Sequence, residues 1–124
     1  MNLLLDTHAL LWWLAGVELS DEAAAAIGDP DNLVAVSAAT VWEASIKAAL
    51  GKLELPEPIG TAIVEDGLEP LPITLEHAER VALLPPHHRD PFDRMLIAQA
   101  QVEGLVIVTR DPGFGAYDVT VLSC

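Results

Sequence analysis

The sequence has a single cysteine, Cys124, so no disulfide can form within the chain. That scarcity fits a reducing compartment, and the thiol is expected to be exposed and without a role. Long apolar runs are missing too, because no stretch reaches the roughly 18 consecutive apolar residues of a membrane span. The opening "MNLLLDTH" lacks a basic start, and Asp6 interrupts it after three leucines, so it does not read as a secretory signal. The expected location is the cytoplasm, with no membrane attachment. Cations are scarce: six Lys and Arg against nineteen Asp and Glu leave a net charge of −13. This balance argues against nucleic-acid binding through a broad basic face, and suits a basic partner or a metal cation. Aromatic residues make up only 5% of a chain that is 52% hydrophobic, so the core is expected to be built from Leu, Ala and Val. A chain this apolar is not disordered, and 124 residues suffice for one domain spanning 1–124.

Apolar runs and breakers divide the chain into alternating elements. "NLLLD" (2–6) is a buried-strand candidate. "THALLWWLAG" follows, with Leu10, Leu11 and Leu14 at helical spacing and Gly16 as its stop. Ser20 caps a second helix that closes near Gly28 and Pro30. "NLVAVS" is a second strand, and a helix runs on from about Ala38 to Leu50, stopped by Gly51. Pro56, Pro58 and Gly60 break the middle and leave room for one short helix. "LEPLPI" is a short extended piece limited by its prolines. Thr74 caps a further helix, and another spans Pro91 to about Glu103. The strand "LVIVT", the turn "RDPGFGAY" and a last strand "VTVL" complete the chain. Strands apolar on both faces, alternating with helices, predict an α/β fold: a central parallel sheet of four to five short strands flanked by helices.

Five acids stand at element ends, and each has an ordinary structural explanation. Asp6 follows the first strand and suits the N-cap of the next helix. Asp111 lies just past "LVIVT" and suits a turn. Asp90, ahead of Pro91, suits an N-cap, and Asp93 then falls where an acid favours the helix dipole. Glu43 has Lys47 one turn on, an i,i+4 pair. Helical phase weakens two of these explanations. Asp93 shares a face with Leu96, Ile97 and Ala100, and Glu43 sits beside Ala39, Ile46 and Leu50, so both lean toward the apolar side. Inward carboxylates need partners. In a parallel α/β sheet, strand carboxyl ends and the helix starts beside them share one edge, which gathers these acids together. Arg89, Arg94, Arg110 and Lys47 each lie within four residues of one of them, as salt-bridge partners or as contacts for an approaching phosphate. An acid cluster in excess of its cations suits a hard divalent ion, Mg²⁺ or Mn²⁺, held by oxygen.

Asp6, Glu43, Asp93 and Asp111 in that order resemble the PIN-domain ribonucleases, and more narrowly the VapC-type toxins. The pieces that carry the resemblance are "LLDTHALLWWL", "SAATVWEASIKAALGKL", "HRDPFDRMLIAQA" and "LVIVTRDPGF", which together cover nearly the whole length. The resemblance implies a PIN-like fold and a metal-dependent endoribonuclease, the toxin of a toxin–antitoxin pair. Such a toxin is usually a dimer, held inactive by a cognate VapB-type antitoxin. It further implies that Asp6 and Asp93 hold the divalent metal and that Glu43 and Asp111 complete the acidic set. Thr7, Ser37 and Thr109 would orient acids or water, and cleavage would leave a 5′-phosphate and a 3′-hydroxyl. Glu43 and Asp111 are both candidates for the base, and Asp90 is read as an N-cap that also tunes the site.

Other tempting residues have plainer readings. Trp12 and Trp13 are expected to pack or to meet a second copy rather than stack on bases. His8, His77, His87 and His88 show no i,i+4 ligand spacing and are not expected to hold zinc. A signalling receiver domain would need paired acids after the first strand and a Lys ending a late one, and both are missing. A dehalogenase-like phosphatase would need an acid at position 8, where His8 stands. A catalytically silent acidic module that binds only a protein partner remains the alternative, because an intact acid set shows capacity rather than activity.

Overall fold

The computed structural model describes residues 1–55 and 58–124. Five short strands form one parallel sheet: β1 (Asn2–Leu5), β2 (Leu33–Ser37), β3 (Glu69–Leu71), β4 (Val106–Thr109) and β5 (Val121–Ser123), in the order β3-β2-β1-β4-β5. The α/β expectation is met at the upper end of its strand count. Alternation of side chains along each strand builds two cores. Leu3, Leu5, Val36 and Val108 face one side, and Leu4, Ala35 and Ile107 face the other. Helices cover both faces, which is why the strands read as continuous apolar runs.

The helices begin and end where local chemistry dictates. α1 (Thr7–Ala15) is capped by Asp6, whose Oδ1 accepts the Ala9 N–H at 2.8 Å, and it ends at Gly16, which turns into the left-handed region at φ 72°. α2 (Asp21–Gly28) is capped by Ser20. α3 (Ala38–Ala49) is capped by Ser37, which accepts from the Ala39 N–H. α4 (Ile59–Glu65) is the one short helix of the proline-broken middle; Pro56, named above among its breakers, lies outside the described residues. α5 (Leu75–Ala82) starts with a capping box in which Thr74 and His77 serve each other's backbone N–H. α6 (Pro91–Glu103) is capped by Asp90, opens on a proline and closes at Gly104. A 3₁₀ turn, Pro112–Ala116, follows β4. Among the described residues, no helix is long and apolar enough to cross a membrane.

One expectation is overturned. Cys124 is buried, not exposed, and belongs to the core on the Leu3/Leu5 side. The β4–β5 ladder continues past Ser123 through a Cys124 N–H bond to the Thr109 carbonyl at 3.2 Å, while the Cys124 carbonyl accepts the Ser20 N–H. Both bonds draw the thiol inward.

Strand order decides where the site lies. The chain leaves β1 toward β2 and β3 on one side, then returns to place β4 and β5 on the other. The order therefore reverses between β1 and β4, and the crevice at such a switch point opens beyond the strands' carboxyl ends. Asp6 follows β1, and Thr109 to Asp111 end and follow β4.

Candidate functional site

Leu5 pairs with Val108, so the next residues on each strand, Asp6 and Thr109, come side by side. The Asp6 N–H continues the ladder to the Val108 carbonyl, and the Thr109 hydroxyl donates to Asp6 Oδ2 at 2.5 Å. The same hydroxyl accepts the Asp111 backbone N–H at 2.9 Å. One buried threonine thus sets the relative position of two of the acids. Burial pushes the Asp6 carboxyl up, against the opposing pull of bonds from Thr109 and Ala9.

Glu43 enters from α3 and is buried, as its helical phase predicted. The Thr7 hydroxyl donates to its Oε1 at 2.6 Å, and Lys47 holds its Oε2 at 2.8 Å. The bond to Glu43 raises the Lys47 ammonium above its usual range. The i,i+4 pair is therefore formed, but with its carboxylate turned inward rather than on an open surface.

The amino end of α6 supplies the rest. Asp90 Oδ1 accepts the N–H groups of Phe92 at 2.8 Å and Asp93 at 3.2 Å, the predicted cap. Asp93 projects into the cluster. Burial, with the charges of Asp90, Glu43 and Asp6 around it, pushes its carboxyl from the ordinary 3.8 to about 7, although the nearby His88 pulls the other way. Asp111 is the most open of the set. Its Oδ1 accepts the Gly113 N–H at 2.8 Å, and that bond holds its carboxyl below the usual range. The mutual influence of Asp6, Glu43, Asp90, Asp93 and Asp111 places them in one cluster.

Sequence reasoning missed His88. Its Nε2 lies 3.2 Å from Asp93 Oδ2 and 3.3 Å from Asp111 Oδ2. Ligand-spacing rules could not find it, because its partners come from a helix start and from the far side of β4. The available signal was its place two residues before the capping Asp90. Among the described residues, only Lys47 of the four cations near the acids in sequence forms a salt bridge to one of them. Arg94 is turned into its own loop, donating to the carbonyls of Val81, Leu84, Pro85 and His88 and to the Tyr117 hydroxyl. Arg110 lies over the Trp12 ring, 4.1 Å from its centroid, and donates to the Glu18 carbonyl. Arg89 is exposed, and Lys47 is held by Glu43. Ser37 is wholly buried, with its hydroxyl engaged in capping α3. Trp12 packs against the core, and the Trp13 Nε1–H donates to Asp66 Oδ2 at 2.6 Å.

The donor set fits a hard divalent cation. Burial, and after it the like charges of Asp90, Glu43 and Asp6, push Asp93 to about 7, so the cluster holds more carboxylates than the Lys47 ammonium offsets. Asp6 and Glu43 are buried, Asp93 is half-buried beside them, and Asp111 is the most open. Replacing Thr109 by valine tests how the first and last acids are joined. Valine keeps shape and strand preference but loses both hydroxyl bonds. The expected result is a stability loss of about 1–3 kcal/mol in urea unfolding and roughly 10- to 100-fold weaker Mn²⁺ binding, with Thr109→Ser restoring most of both.

Comparison with known proteins adds the following. A family model described as PIN domain matches residues 3–119. The fold superposes on a chain in the crystal structure of VapBC2 from Rickettsia felis bound to a DNA fragment from their promoter, with TM-score 0.75, 13% identity, and 100% and 99% of the two chains covered. It matches a chain of DNA-bound VapBC from Salmonella typhimurium at TM-score 0.69 and 17% identity, covering 99% and 98%. It also matches VapBC-5 from Mycobacterium tuberculosis at TM-score 0.60 and 24% identity, covering 98% and 96%. At these identities the likeness is one of fold. Comparison with curated proteins finds no significant sequence match.

Proposed function

Because the chain belongs to the PIN domain family, its model matching residues 3–119, we propose that it is a divalent-metal-dependent endoribonuclease, the VapC-type toxin of a toxin–antitoxin pair. The observation that carries this reading is the meeting of Asp6, Glu43, Asp93 and Asp111 at the sheet's switch point, with Asp93 pushed to about 7. Asp6 and Asp93 would hold Mg²⁺ or Mn²⁺, with Asp111 and Glu43 completing the set. A bound ion of this kind would lower the pKa of an attacking water and offset charge at the phosphate. The protein's own groups do the rest. Thr109 keeps Asp6 and Asp111 in register, and Thr7 and Lys47 hold both oxygens of Glu43. Of the two candidate bases, Asp111 is the more open to solvent, but both oxygens of each carboxylate already have partners, Gly113 and His88 for Asp111 and Thr7 and Lys47 for Glu43, so both stay candidates. Arg89, on the rim beside the cap of α6, is the cation best exposed to meet a phosphate.

The partner follows from charge and from the company the fold keeps. The matched chains are parts of VapBC complexes, and a net charge of −13 suits a basic segment of a VapB-type antitoxin. In this reading the toxin is cytoplasmic, acts on RNA and forms a homodimer, which light scattering would check. The decisive experiment is cleavage of total RNA by purified, antitoxin-free protein with Mg²⁺ or Mn²⁺, with EDTA, and with Asp93→Asn. Discrete cuts with 5′-phosphate ends, lost in EDTA and in the variant, are the expected result. Cutting that persists in both controls would sink the metal mechanism. A folded, metal-binding protein that cuts no RNA would favour the silent partner-binding module.

A further inference from the structure

The reaction proposed above leaves His88 without a task, although its ring stands between two of the acids. One atom from each of His88, Asp93 and Asp111 lies within 4.8 Å of the others, which resembles a mixed nitrogen–oxygen ligand set. The second ring nitrogen speaks against that. His88 Nδ1 accepts the Asp90 backbone N–H at 3.2 Å, and a nitrogen accepting a hydrogen bond carries no proton. Nε2 is then the nitrogen that bears the proton; it donates to Asp111 Oδ2 at 3.3 Å and stands 3.2 Å from Asp93 Oδ2. A histidine that ligates a metal through Nε2 has the reverse arrangement, donating Nδ1–H to a carboxylate, a carbonyl or water.

The ring is seated rather than loosely placed. The His88 backbone N–H donates to the Tyr117 hydroxyl at 2.7 Å, and the His88 carbonyl accepts from Arg94. Gly113 closes the other side. A Cβ added there would stand 3.1 Å from His88 Cδ2 and 3.1 Å from Asp111 Oδ1, so a larger residue would push one of the two side chains aside by a few tenths of an ångström.

We propose that His88 is a resident stand-in for the cation: in the ion-free protein its Nε2 sits between the two acids, hydrogen-bonded to Asp111 Oδ2 and 3.2 Å from Asp93 Oδ2, and a divalent ion must displace it to bind. His88 is then a positioning residue, holding like charges at one spacing while competing with the ion for their oxygens. The inference rests on the metal-dependent reading and refines it.

The test is Mn²⁺ affinity by calorimetry at one fixed pH for the wild type, His88→Ala and His88→Gln. Losing one hydrogen-bonded competitor should tighten binding about fivefold in His88→Ala. Glutamine, whose amide N–H reaches the place of Nε2, should stay within about twofold of wild type by the same arithmetic. Unchanged or weaker binding in His88→Ala overturns the proposal, with weaker binding making His88 a ligand. If the wild type binds no Mn²⁺, the metal-dependent reading falls as well, so the two failures are distinct. Ring NMR of the wild type gives an answer even should the alanine variant not fold: the proposal requires Nε2 to remain protonated after Mg²⁺ loading, and a deprotonated Nε2 in the loaded protein overturns it.

Discussion

Asp93→Asn is expected to abolish metal-dependent RNA cleavage, by about 10³-fold or more, while making the ion-free protein more stable. The two effects share one cause. Burial and the charges of Asp90, Glu43 and Asp6 raise the folded-state pKa of Asp93 from 3.8 to about 7. A raised carboxyl favours the folded state only while it keeps its proton. Below about pH 4 the carboxyl is protonated both folded and unfolded, and Asp93 costs nothing. Between about pH 4 and 7 the unfolded chain ionises first, so stability falls as pH rises. Above about 7 the full cost is present, on the order of 4 kcal/mol at ~1.4 kcal/mol per pKa unit. Asparagine removes that cost, so the melting temperatures of the two proteins in EDTA should separate progressively above pH 4 and then run parallel above 7. Excess Mg²⁺ should reverse the order, because an ion that binds only the folded wild type stabilises it by mass action. Since the ion needs the ionised carboxylate, Mg²⁺ affinity should climb with pH and level off above about 7. A variant destabilised at every pH, with metal affinity unchanged, would make Asp93 an ordinary helix-start acid.

Arg94→Ala should destabilise the protein by about 2–4 kcal/mol, and Arg94→Lys should recover little of it. By its nearness to the acids, Arg94 was expected to form a salt bridge or to meet an approaching phosphate. Its guanidinium instead gathers the Val81, Leu84, Pro85 and His88 carbonyls, with the shortest of these bonds, to Pro85, at 2.9 Å. It also reaches the Tyr117 hydroxyl, which itself donates to Pro85. This strap holds the segment between α5 and α6 that carries His88 and the Asp90 cap. A lysine offers three donors from one point and no planar fork, so it cannot serve carbonyls spread along a loop. Urea unfolding measures the loss, and hydrogen exchange should localise it to residues 83–92. RNA cleavage should fall alongside, because the cap that aims Asp93 frays with the loop. An Arg94→Lys protein with wild-type stability would return Arg94 to a surface role.

The acidic cluster was largely legible because its members are tied to local signals. Asp6 and Asp111 follow apolar strands, Asp90 precedes a proline, and Asp93 and Glu43 break the polarity of their helix faces. Thr7 and Thr109 were legible for the same reason, as neighbours of those acids. His88, Arg94 and Cys124 were not. His88 meets Asp111 across 23 residues of sequence. Arg94 is claimed by carbonyls, which every residue has and no pattern advertises. Cys124 is buried by a ladder between strands.

By itself the sequence determined the alternation of strands and helices, the caps and stops that bound them, and the surplus of inward carboxylates. These depend on periodicities and bonds a few residues long, which any reading of the chain can follow. Tertiary structure alone decided which strands neighbour one another, and so which strand ends share a crevice. It placed Thr109 between Asp6 and Asp111, seated His88 against Gly113, and turned Arg94 inward. Those outcomes depend on contacts between segments far apart in the chain, where pairing register and close packing, rather than local preference, set which atoms meet.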